Sequence, residues 1–61
     1  LSRAGEAVER SRLLMGQIYI QQGNLLQARN EYREFKDRFP DSPLIGNIEQ
    51  VLAALEKQVP D

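Results

Sequence analysis

Two short breaks constrain this chain more than any other feature. Gly23-Asn24 separates two stretches of helical periodicity by only two residues, and Pro40-Asp41-Ser42-Pro43 separates the second stretch from a third. Glycine suits the left-handed residue that follows a helix. Asn24 is placed to cap the next helix, with Gln27 at the capping-box position three residues on. A connection this short forces the first two helices antiparallel. Beyond the second break, Asp41 or Ser42 can cap a third helix, and Pro43 fits its first turn, where no amide donor is needed.

The apolar residues recur at helical steps throughout. The first helix is expected over 3–22, with Ser2 as its N-cap. Its Ala4, Ala7, Val8, Leu14, Met15, Ile18 and Tyr19 fall three and four apart, and this is the face expected to meet the neighbouring helix. The second helix, over 25–39, carries Leu25, Ala28, Tyr32, Phe35 and Phe39 on one stripe. Its other residues, Arg29 to Glu31, Arg33, Glu34 and Lys36 to Arg38, read as a solvated face, where Glu34–Arg38 and Arg33–Asp37 make opposite-charge pairs four apart. The third helix, over 44–58, has an apolar stripe of Leu44, Ile48, Val51, Leu52, Leu55 and Val59 against a polar face of Asn47, Glu49, Gln50, Glu56 and Lys57. The fold class is therefore all-α. Gly16 and Ala28 are the small residues expected to face each other where the first two helices come closest. The Ile48, Leu52 and Leu55 face is expected to pack on that hairpin.

Composition removes several classes of function. The chain has 61 residues, room for one small domain. Eight basic residues stand against nine acidic ones, for a net charge of −1. That balance argues against nucleic-acid binding, which needs a basic patch, and so against a helix-turn-helix DNA binder. With no Cys and no His, disulfide scaffolds and the usual zinc sites are excluded. No apolar run approaches the about 20 residues of a membrane span. There is no Gly-rich phosphate loop. Ser2, Ser11 and Ser42 have no neighbouring base in sequence, and Glu31 and Glu34 lie on a charged helix face. No catalytic residue, cofactor or metal site is expected, and the chain does not read as an enzyme.

The spacing of Met15-Gly16, Tyr19, Gly23, Ala28, Tyr32 and Pro40 supports a family resemblance. Residues 9–42 resemble one tetratricopeptide repeat, a helical hairpin of about 34 residues. Gly16, Tyr19, Ala28, Tyr32 and Pro40 agree with the pattern. Its tryptophan position falls on Arg12, its leucine on Met15 and a later alanine on Phe35. The phrase FKDRFPDSP, residues 35–43, is similar to helix ends in repeat proteins of the bacterial envelope, among them outer-membrane assembly lipoproteins and the Tol–Pal coordinator family. Residues 43–59 then resemble the terminal helix that caps such an array, apolar inside and polar outside. The resemblance implies a single repeat-like domain over 1–61, excised from a longer chain, with a bacterial periplasmic or envelope location preferred and the cytoplasm as the alternative.

The same resemblance implies a protein–protein interaction or assembly module. In the family, the inner faces of the first helices line a groove. Carried onto this chain, the groove falls on Arg10, Leu13, Gln17, Ile20 and Gln21. Leu13 and Ile20, two turns apart, are expected to lie outside the core face and to meet another protein, a second copy, or a neighbouring helix. The family's clamp for acidic tails uses Lys and Asn where this chain has Leu13 and Gln17, so that specificity is not expected. A homo-oligomerisation or regulatory domain of a larger enzyme or regulator stands as the alternative.

Overall fold

The computed structural model describes residues 3–60, with side chains from residue 7 onward. Three helices account for nearly all of it: α1 over Arg3–Gln21, α2 over Leu25–Arg38 and α3 over Ile45–Gln58. No strand occurs among the described residues, so the chain is all-α. Each helix end lies within a residue of its expected place. Ser2, the expected N-cap of α1, lies outside the described residues.

The first break is a Schellman turn. Gly23 has φ of 76°, the left-handed region in which a Cβ is unfavourable. Its N–H donates to the Ile20 carbonyl at 3.0 Å and the Asn24 N–H to the Tyr19 carbonyl at 2.8 Å, satisfying the last carbonyls of α1. Asn24 occupies the N-cap position of α2, but its side chain makes no capping hydrogen bond. Its contribution is the backbone carbonyl, which accepts from Ala28 N–H at 3.1 Å. At the second break Phe39 N–H closes α2 on the Phe35 carbonyl at 2.8 Å. Ser42 then organises the linker. Its hydroxyl accepts from Leu44 N–H at 3.2 Å, and its carbonyl accepts from Ile45 N–H at 3.1 Å.

α2 lies between α1 and α3, whose backbones do not approach each other closely among the described residues. The core is Ala28, Tyr32 and Phe35 from α2 with Ile48, Leu52 and Leu55 from α3. The expected α3 face is therefore the buried one. Phe39 packs its ring on Phe35 at 5.1 Å between centroids, tilted by 55°. Burial pushes the pKa of the Tyr32 phenol above its ordinary value.

Ion pairs frame the α2–α3 contact. Arg33 Nη2 stands 2.9 Å from Glu56 Oε2, and Lys36 Nζ 3.7 Å from Glu49 Oε2. Arg29 corrects the expected solvated face: it is only 9% exposed. Its Nη1 donates to the Val59 carbonyl at 2.7 Å, placing a cation at the negative end of α3.

α1 approaches α2 closely at Gly16. Gly16 is buried, and the atoms nearest to the place of its missing Cβ belong to the Tyr32 ring. A Cβ on Gly16 would lie 2.9 Å from Tyr32 Cε1 and 3.0 Å from Cζ. Ala28 is itself fully buried, at 0% exposure.

Candidate functional site

α1 is rotated relative to the expected orientation. Successive residues of a helix are about 100° apart. Gly16 and Ile18 therefore stand about 160° from each other around the helix, and a contact that closes over Gly16 turns Ile18 away. Polar residues one and two turns before Gly16 reinforce the rotation. Arg12 Nη1 lies 2.7 Å from Glu34 Oε1 and 3.8 Å from Glu31 Oε1, both on α2. Glu34 also meets Arg38 at 3.8 Å, the expected pair four apart. The Ser42 hydroxyl donates to Glu9 Oε1 at 2.6 Å, tying α1 to the linker before α3.

Leu13, Tyr19 and Ile20 consequently pack against the core, half-buried. Val8, Leu14, Met15 and Ile18 face outward, 50%, 57%, 43% and 38% exposed. This overturns two expectations. Of the face assigned to the hairpin contact, the described Ala7, Val8, Leu14, Met15 and Ile18 are exposed, and only Tyr19 packs inward. Leu13 and Ile20, expected to be the surface anomaly, support the core instead.

The implied groove residues thus separate. Leu13 and Ile20 lie against the core, whereas Arg10, Gln17 and Gln21 are exposed along one flank of the outward stripe. Arg10 borders a shallow hollow of about 230 Å³ with Glu9, Pro43 and Leu44. A second hollow of about 300 Å³ lies between Glu9, Arg38 and the linker 39–43. The outward stripe itself is uncharged. Ala7, Val8, Ser11, Leu14, Met15 and Ile18 form it, and Met15 to Gln22 carry no ionisable group but the Tyr19 phenol. Leu26, 49% exposed, is the one further large apolar residue exposed among the described residues, and it lies on α2.

Among the described residues no three carboxylates gather as metal ligands would, and no helix is long and apolar enough to cross a membrane. No protein-family model matches the chain, and no curated protein or solved structure matches it.

Proposed function

We propose that the chain is a protein-interaction module of the tetratricopeptide-repeat type, and that it binds through the outward face of α1 rather than acting as an enzyme. The supporting observation is the row Val8, Leu14, Met15 and Ile18, four large apolar side chains exposed on one helix face with no charge among them. Scattered apolar residues are ordinary on a surface, but a contiguous row is a feature of contact sites. Each such side chain is already about half-covered, so covering the rest stabilises an interface by roughly half of the about 1.5–3 kcal/mol of full burial. Arg10, Gln17 and Gln21 border the row and would form its polar rim, as interfaces commonly have. The repeat-type reading draws on the glycine turn, the contact of Gly16 with Tyr32 and the proline break before α3.

A photo-crosslinking residue at Met15 tests the reading. The expected result is protein adducts in cells from Met15 and none from the exposed Gln50 of α3. Equal labelling at the two positions would remove α1 as the binding surface.

A further inference from the structure

We infer that the occupant of the outward α1 face is a second copy of this chain, packed antiparallel about a two-fold axis. The inference rests on the reading of that face as a binding surface, and it is carried by self-complementarity of size and charge along the stripe.

Ala7, Ser11, Leu14 and Ile18 are spaced four, three and four apart. That is the 3.5-residue repeat with which one helix seats along another. The seam is graded in size: Ala7 and Ser11 are small, Leu14 and Ile18 large. Two copies related by an axis midway between Ser11 and Leu14 set Ala7 against Ile18 and Ser11 against Leu14. Each large side chain then meets a small one, as interdigitating layers require. A parallel pair would set Leu14 on Leu14 and leave a gap between the alanines.

The flanks agree. In an antiparallel pair each flank of the seam meets the same flank of the other copy. Val8 and Met15 line one flank, and Arg10 and Gln17 line the other. The antiparallel pair therefore sets Val8 against Met15, and Arg10 against the uncharged Gln17. A parallel pair would lay the Arg10 guanidinium beside Met15. A two-fold arrangement of one patch on itself is also the commonest closed assembly.

The area sets the strength. The part of α1 from Ala7 to Gln21 spans about 22 Å, and a strip one helix wide, about 10 Å, gives on the order of 200 Å² of contact footprint per copy. That is below the about 800 Å² per partner of stable complexes. A footprint of that size makes the pair weak and reversible.

Sedimentation equilibrium of the purified chain from about 10 µM to 1 mM tests association. The wild type is expected to pass from monomer to dimer, and Leu14→Ser/Ile18→Ser to stay monomeric with its helicity intact. The absence of native cysteine allows orientation to be read directly. Ala7→Cys and Ile18→Cys chains, oxidised as an equal mixture, are expected to give mainly the mixed disulfide. A monomer at 1 mM, or a statistical mixture of disulfides, overturns the inference. A monomeric chain whose Met15 position still captures protein in cells overturns the second copy alone and leaves the interaction surface standing.

Discussion

The two helices that flank α2 use their apolar residues in opposite ways. α3 turns Ile48, Leu52 and Leu55 into the core and leaves Asn47, Glu49, Gln50 and Lys57 exposed. Its last carbonyl region receives the Arg29 guanidinium, and two ion pairs frame its contact with α2. α1 instead meets α2 through a glycine and a salt-bridged arginine beside the half-buried Leu13, Tyr19 and Ile20, ties to the linker before α3 through Glu9, and keeps Val8, Leu14, Met15 and Ile18 outside. α3 has spent its apolar stripe on the fold, whereas α1 holds half of its own in reserve. A helix whose outward face is apolar exposes surface that folding alone does not require, and that asymmetry locates the candidate binding face.

The largest expected effect separates the two stripes. Leu52→Ala empties a site that is 5% exposed and should cost about 2–5 kcal/mol, enough to unfold much of a domain this small. Urea unfolding of the variant checks it, and a loss below about 1 kcal/mol would mean that the α3 contact is loosely packed.

Next is the closeness of α1 to α2. Gly16→Ala adds a methyl group within about 3 Å of a Tyr32 ring that is itself 2% exposed and has little room to move. Overpacking of this kind costs about 1–3 kcal/mol. It should outweigh the up to about 1 kcal/mol that alanine gains over glycine in helix propensity. A variant with a higher melting temperature than the wild type would show that the helices stand further apart than described.

These two sites also show what was legible in the sequence. The three helices, their ends, the left-handed Gly23 and the inward face of α3 all follow from local signals: turn residues at fixed offsets and one apolar stripe per helix. The facing of α1 does not, because α1 carries apolar residues around most of its circumference. Leu13, Tyr19 and Ile20 compete with Val8, Leu14, Met15 and Ile18, and periodicity alone cannot choose between them. The geometric incompatibility of Gly16 and Ile18 on one face was present in the sequence and decides the matter. Arg12 at an expected apolar position pointed the same way, since a cation there needs carboxylates opposite, and Glu31 and Glu34 supply them. Arg29 was illegible for another reason: its acceptor, the Val59 carbonyl, lies 30 residues away.

A smaller effect is readable in alkali. Burial raises the Tyr32 phenol, so above its ordinary value of 10.0 the unfolded chain gives up that proton more readily than the folded one. Stability should hold below about pH 10 and fall as pH rises beyond it. Tyr32→Phe should flatten that part of the decline in pH-dependent melts, and an unchanged alkaline slope would place the phenol in contact with solvent.

The smallest expected effect concerns the start of α3. A Cβ on Gly46 meets nothing within 4 Å, and its φ is not positive. Gly46→Ala should stabilise the chain by up to about 1 kcal/mol, visible as a modest rise in melting temperature. A fall would reveal a contact at that turn.

The apolar face of α1 lies outside the fold, where the proposed partner would cover it. Urea unfolding at about 1 µM, where a weak pair is dissociated, tests it on Leu14→Ser/Ile18→Ser. The account predicts a stability within about 0.5 kcal/mol of the wild type, as for exposed positions. A loss of 2 kcal/mol or more, of the size expected for Leu52→Ala, would contradict it and return that face to the core.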